Sequence, residues 1–408
     1  MSIPGQTMGV SVFTEPLLAA TGLSRLELSN AYLVGTLASG LLLPWGGVLL
    51  DRFGGRKIAV LSAIGLAATL IYLSVSDRLS HLLSQLLAAE NASFVAWVLL
   101  ALGFTSLRFS GQGMLTMTSR TVLGKWFDRR RGLVSGITGV FTSFGFAAAP
   151  LILSAWINAL GWRGAWLSMA VVISFGMGLV GWLLFRDNPE ECGLSMDGET
   201  AGATVAAQHP GVKKTLREFS RAEALRTVIF WATTLALSCQ ALTVTGITFH
   251  IVDIGAEAGL PQAQTVAIFL PMAAISTVIG YLIGIAADRI QLQSLFMGMM
   301  VFLGLGLVCM AHIGLPGLRS LAIVGLGISG GCFGTLSSVT LPRFFGRTHL
   351  GAIAGIQMMS MVLASAIGPS WLALFKDQFG SYQPGLYACS ILPVTVLFLV
   401  LFARDPQG

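Results

Sequence analysis

The sequence predicts an all-α membrane protein built as two pseudo-symmetric six-helix bundles, about twelve transmembrane helices in all. Of its 408 residues 54% are hydrophobic and only 10% charged, with a mean hydropathy of +0.79, a balance that leaves a water-soluble globule too little polar surface. Apolar runs of roughly 20 residues recur along the chain, each enough to cross a ~30 Å hydrocarbon core as helix. Two stretches also repeat. Gly9, Gly22, Leu23, Gly47, Asp51 and Arg52 are answered at a constant offset of 237 by Gly246, Gly259, Leu260, Gly284, Asp288 and Arg289, for which a duplicated helical domain is the simplest source.

Taken in order, the runs lie near 28 to 50, 57 to 77, 92 to 116, 132 to 157 and 164 to 186, then 228 to 252, 263 to 286, 294 to 313, 317 to 340, 350 to 375 and 383 to 403. Their unbroken apolar character argues against a membrane barrel, whose short strands would alternate. A partial segment at 1 to 21, carrying Pro4, Glu15 and Pro16, completes a first bundle over 1 to 186; the polar stretch 187 to 227 joins it to a second over 228 to 408. The helix around Gly246 begins eighteen residues earlier, near Val228, whereas Gly9 has eight residues before it. The first helix is therefore expected to be truncated at its N-terminal half, with a true start roughly 10 to 20 residues upstream of Met1.

Basic residues set the orientation. Arg52, Arg56, Lys57, Arg120, Lys125, Arg129, Arg130, Arg131, Arg289, Arg343 and Arg347 fall on loops of one side together with the linker's Lys213, Lys214, Arg217 and Arg221. Opposite them stand only Arg25, Arg78, Arg163, Arg319 and Lys376. This asymmetry predicts a multi-pass protein of the cytoplasmic membrane with both termini inside, and it accounts for the net charge of +6 without a nucleic-acid partner. Five scattered cysteines, Cys192, Cys239, Cys309, Cys332 and Cys389, form no CxxC pair and no metal-ligand pattern, so they read as packing residues. Phosphate loops, HExxH pairs, GxSxG elbows and catalytic triads are missing from the sequence, so neither an enzyme nor a cofactor is expected.

Two motifs carry the rest. In Gly47-x-x-x-Asp51-Arg52-x-Gly54-Gly55-Arg56-Lys57, a glycine permits close helix approach, and the aspartate can accept from an arginine or a helix N-terminus. Such a group can latch one conformation, and the latch would be Gly47, Asp51 and Arg52 with their copies Gly284, Asp288 and Arg289. The loop resembles the signature loop of the major facilitator superfamily. The second motif runs from Lys125-Trp126-Phe127 through Arg131-Gly132 to Gly136 and Pro150, and Gly132, Gly136 and Pro150 recur at an offset of 219 as Gly351, Gly355 and Pro369. With Gly161-Trp162-Arg163 and Asn188-Pro189-Glu190-Glu191-Cys192-Gly193-Leu194, it resembles bacterial relatives of monocarboxylate and oxalate/formate porters over almost the whole chain.

The resemblance also shows a departure. Members of the monocarboxylate branch carry Arg-Pro-x-x-Gly-x-x-Ala-Asp in the eighth helix, where this chain keeps Gly284, Ala287 and Asp288 but has Gly280 and Tyr281 for the arginine and proline. The oxalate-type lysine of the eleventh helix is missing too. The carboxylate clamp that the resemblance would imply is therefore not to be assumed.

Arg108 is the one basic residue the apolar runs place deep in the hydrocarbon, where an arginine costs at least ~2.5 kcal/mol and so faces the bundle interior or a wet cavity. Its segment Arg108-Phe109-Ser110-Gly111-Gln112-Gly113 resembles a fourth-helix motif of the superfamily, which implies gating or proton movement; contact with an anionic substrate and plain packing remain open. Gln112 lies one turn on. Tyr32, Gln240, Thr243 and Gln357 are further cavity candidates. His250 changes charge near neutral pH, and with Glu15 and Asp253 it is a proton-coupling candidate; a satisfied helix-end histidine paired with Asp253 is the alternative. His312 has no polar neighbour on its own stretch.

The expected function is a secondary active transporter of a small organic solute, a monocarboxylate-type anion, working by alternating access with proton coupling. Its partners are then the solute, protons and the lipid bilayer, with the chain acting as a monomer. Two other readings stay open: an exporter or antiporter of a neutral or cationic molecule, and a non-transporting membrane receptor on the same fold.

Overall fold

The computed structural model describes residues 2–86, 91–198 and 217–407, and every regular element among them is helical. Lys213 and Lys214 lie outside the described residues. Among the described residues ten helices are long and apolar enough to cross a bilayer: Arg25–Phe53, Gly55–Ser74, Ala92–Trp126, Arg131–Leu184, Val228–Glu257, Gln262–Ala287, Leu292–Met310, Pro316–Phe345, Leu350–Phe379 and Gln383–Phe402. This is the layout of a multi-pass membrane protein.

The longest of them bends in two at Gly161, whose φ of 69° and ψ of 165° suit only a residue without Cβ. The two arms match the separate runs expected at 132 to 157 and 164 to 186. Residues before Arg25 do not form one span. They make three short helices, Ile3–Gly5, Thr7–Ser11 and Thr14–Thr21, interrupted where Gln6 turns extended. Pro16 sits in the first turn of the last of these, where no N–H is owed to the helix. Ser24 then starts Arg25–Phe53 through a capping box: its hydroxyl accepts from Glu27 N (3.2 Å) and its N–H donates to Glu27 Oε2 (2.8 Å).

The chain divides into two compact units. The first holds Met1–Val122, Phe144–Asp187 and Ala354–Met359; the second holds Leu123–Ser143, Asn188–Ile353 and Ser360–Gly408. The first has a core of Phe13, Leu17, Leu66, Leu70, Leu100, Phe104 and Trp166. Large apolar side chains such as Trp45, Leu61, Leu102, Phe249, Leu282 and Phe398 stand exposed, which is what lipid-facing helix surfaces require and an aqueous surface would not tolerate.

Candidate functional site

Within Ala92–Trp126 the chain winds as a π-helix over Arg108–Leu115, an irregularity frequent at functional sites. Two glycines allow a backbone to press on it, since a Cβ on Gly5 would lie 2.6 Å from Gly111 Cα. The N-terminal turn Ile3–Gly5 therefore rests on the π turn and delivers its polar atoms to Arg108. That side chain is 3% exposed. Its Nη1 donates to Gly5 O and Thr7 Oγ1, both at 3.3 Å. The guanidinium stands 5.3 Å from the Tyr32 ring centre, and the Tyr32 hydroxyl donates to Thr7 Oγ1 at 3.0 Å. Arg108 Nε and Gln112 Oε1 are buried without a hydrogen-bond partner. Every contact of the cation is thus with a neutral group, and no acidic residue pairs with it among the described residues.

Gln357, 2% exposed, belongs to the same unit, and its Nε2 has no partner. Gln240 and Thr243 belong to the second unit. Gln240 Oε1 accepts from Ser329 Oγ, while the Thr243 hydroxyl donates to Cys239 O at 2.8 Å on its own helix, which leaves it little to offer a solute.

His250 is tied across three elements. Its Nε2 lies 3.0 Å from Pro369 O; a carbonyl only accepts, so in the neutral ring Nε2 carries the proton and Nδ1 accepts from Tyr382 OH at 3.1 Å. Asp253 Oδ2 stands 3.9 Å from the same Nδ1. Burial, reinforced by Asp253 and Glu257, pushes the Tyr382 phenol up. Glu257 meanwhile pairs with Lys376 and accepts from Tyr382 N at 3.0 Å. The network exceeds the local His250–Asp253 pair the sequence offered as an alternative. Glu15, in the first unit, is exposed and paired with Arg25 at 2.5 Å. His312 has a partner after all, the Tyr387 hydroxyl at 2.5 Å.

Of the residues expected to form a latch in the second copy, Asp288 lies at a helix N-terminus. Asp288 accepts from Gly132 N (2.8 Å) and Leu133 N (3.1 Å), the first free N–H groups of the helix that starts at Arg131. Burial nonetheless holds its carboxyl above the ordinary aspartate range, outweighing those two bonds. Beside it the helices cross on bare backbone: a Cβ on Gly284 would lie 2.5 Å from Gly132 O, and one on Gly136 3.1 Å from Tyr281 Cα and 3.2 Å from Gly280 O. In the first unit a Cβ on Gly355 would lie 2.6 Å from Leu43 O and 3.0 Å from Pro44 Cα. Gly355 is Gly136 displaced by 219, and Gly280 and Tyr281 are Leu43 and Pro44 displaced by 237, so one crossing is made twice by equivalent residues. Gly47 is buried, Asp51 half-buried, and Arg52 and Arg289 are exposed, with Arg52 5.4 Å from the Phe53 ring centre.

Several residues escaped the sequence reading. Arg120, assigned there to a loop, is half-buried within the helix that runs on to Trp126, and its Nη1 meets Met358 Sδ at 3.6 Å. Arg131, likewise assigned to a loop, is 4% exposed and donates to Phe127 O (2.8 Å) and Gly124 O (3.1 Å). The linker's carboxylates cap loops at equivalent positions. Asp197 accepts from Arg129 N (2.9 Å) and Arg130 N (3.3 Å), and Glu218 from Arg347 N (2.7 Å) and Thr348 N (2.9 Å).

Residues 2–369 match the family model described as Major Facilitator Superfamily. The glucose transporter GlcP of Staphylococcus epidermidis is 21% identical over 89% of this chain and 82% of its own length. Human monocarboxylate transporter 10 is 22% identical over 88% of this chain and 67% of its own; human monocarboxylate transporter 6 is 36% identical over 30% of this chain and 21% of its own. Among solved structures, a bacterial homologue of the iron transporter ferroportin in an outward-facing state superposes with a TM-score of 0.69 at 16% identity, covering 98% of this chain and 96% of that one. The proton:xylose symporter XylE does so with a TM-score of 0.66 at 14% identity, covering 99% and 92%. At such identities the structural likeness speaks for the fold.

Proposed function

Because the chain belongs to the Major Facilitator Superfamily, we propose that it is a secondary carrier of a small organic anion of the monocarboxylate type, coupled to protons. The observation that carries the reading is Arg108, a cation 3% exposed whose partners among the described residues are the neutral groups of Gly5, Thr7 and Tyr32. An ionised guanidinium at membrane depth with no counter-ion is costly, and a carboxylate that enters beside it gains a charge-assisted, fork-shaped partner. Gln112 and Gln357, each with an unpartnered polar atom, supply neutral groups for the rest of the solute. In this reading residues 1 to 186 and 228 to 408 act as two bundles that rock about the site, both termini and the linker face the cytoplasm, and His250 with Asp253 takes and releases the proton.

Uptake into proteoliposomes tests it. A panel of monocarboxylates should enter faster when the outside is acidic, Arg108→Gln should lower kcat/KM by at least about tenfold, the worth of one lost charge-assisted bond, and His250→Gln should remove the response to the pH gradient. Wild-type rates in Arg108→Gln would end the anion reading. A neutral solute is the second reading, favoured by Gly280 where the monocarboxylate branch has arginine and by the resemblance to a glucose transporter. It predicts sugar flux without carboxylate flux in the same vesicles.

A further inference from the structure

We infer that Arg120 is a second anion-binding residue, placed on the same helix face as Arg108 and nearer the C-terminal end of that helix, where it takes the carboxylate of a solute bound by its fork. The inference deepens the anion reading above and rests on it for the identity of the ligand. The π turn supplies the alignment. Arg108 and Arg120 are twelve residues apart, which in a regular α-helix would set them about 120° apart around the axis. A π turn accommodates one extra residue, and it lies between them at Arg108–Leu115. The separation then counts as about eleven helical steps of 100°, within roughly 20° of three full turns and about 17 Å along the axis.

The second observation is chemical. Among the described residues several buried or half-buried arginines have oxygen acceptors: Arg108 has Gly5 O, Arg131 has Phe127 O and Gly124 O, Arg163 has Asp77 and Ser74 O, and Arg343 has Ala287 O. Arg120 has only the thioether of Met358, at 3.6 Å, a weak acceptor. Two side chains next to this pair in the sequence also keep an unsatisfied polar atom. Gln357 Nε2, on the residue before Met358, and Thr121 Oγ1, on the residue after Arg120, are both buried without a partner, with their residues 2% and 3% exposed. A forked cation that faces a flexible methionine can exchange the sulfur for a carboxylate without breaking a strong bond.

The test reads local charge and does not depend on which solute is carried. In the full chain with Cys192→Ser, a reporter cysteine is placed by Met358→Cys and, independently, by Thr121→Cys. Each is reacted with a sulfonate-bearing and a trimethylammonium-bearing methanethiosulfonate. With Arg120 present the anionic reagent should react at least about tenfold faster relative to the cationic one than with Arg120→Gln, as one unit charge at a few ångströms in a partly hydrated site dictates; Arg120→Lys should keep the preference. An unchanged ratio in Arg120→Gln, or no reaction of either reporter with either reagent, overturns the proposal. If the ratio shifts as expected while wild-type vesicles carry no carboxylate, the carboxylate reading falls and the anion site stands.

Discussion

Gly284→Ala should move the conformational equilibrium of this protein by one to two orders of magnitude. Its new Cβ would stand 2.5 Å from Gly132 O and 3.2 Å from Gly136 Cα, whereas a carbon rests against a carbonyl oxygen at about 3.3 Å or more. The two backbones must part by roughly 0.8 Å or strain, and overpacking of this kind costs about 1–3 kcal/mol. The helical gain of alanine over glycine is common to every conformation and cancels. In the rocking reading the clash exists only while the crossing is closed, so the ratio of closed to open should fall about 5- to 150-fold. Gly280→Ala is the internal control, one turn away on the same helix, because its Cβ would meet nothing nearer than Gly331 O at 3.5 Å. Spin labels at Arg130 and Arg289, both exposed, on a Cys192→Ser background read the opening as a distance distribution. If Gly284→Ala leaves that distribution as in wild type, or Gly280→Ala shifts it equally, the crossing is not a moving contact and the rocking proposal loses its hinge.

Two further outcomes concern pH. Asp288 has a carboxyl raised above its ordinary 3.8 where it caps the helix that starts at Arg131, so that arrangement holds a proton over a window in which the solvated group has lost it; if the crossing opens as proposed, acidification from neutral toward 3.8 should favour the closed crossing, and the same spin-label pair in Asp288→Asn should lose this component. Glu223 runs the other way: its bonds from Ser220 and Arg217 hold it at about 2 against an ordinary 4.5, so the short helix Arg221–Leu225 is supported above 4.5 and loses that support as pH falls toward 2, which amide exchange at Ala224 should show in wild type and not in Ser220→Ala.

The helices were legible because hydrophobic length and the repeat record the bilayer and the duplication directly. Local chemistry with distant partners was not. His250 finds Pro369 and Tyr382, 119 and 132 residues away, and His312 finds Tyr387, 75 residues away; no spacing on one helix announces such pairs. Arg120 was missed for a different reason. Hydropathy falls over Thr116, Thr118, Ser119 and Arg120, so the apolar run ends near 116, although the helix continues to Trp126. Hydropathy measures apolar length, and a helix that passes along a polar interior outlasts it. The N-terminal segment was read as half of a helix because its glycines match the repeat. Extended Gln6 instead divides it into turns, one of which lies on the π turn beside Arg108.

The departure at Gly280 now has a physical setting. In the first half the equivalent pair is Leu43-Pro44, where the twin crossing is tighter, 2.6 Å for a Cβ on Gly355 against 3.1 Å for one on Gly136. A proline inside a helix removes a hydrogen bond and bends the backbone, and Pro44 lies inside Arg25–Phe53, so the closer approach falls where the proline is kept. In the second half Tyr281 replaces it, and Gly280 gives its carbonyl to Thr335 Oγ1 at 2.8 Å. A side-chain carbon at Gly280 would make only ordinary contacts, the nearest with Gly331 O at 3.5 Å. In the anion reading proposed above, the positive charge comes instead from Arg108 and Arg120 on one helix, and a double variant Arg108→Gln, Arg120→Gln should then abolish carboxylate binding that either single change only weakens.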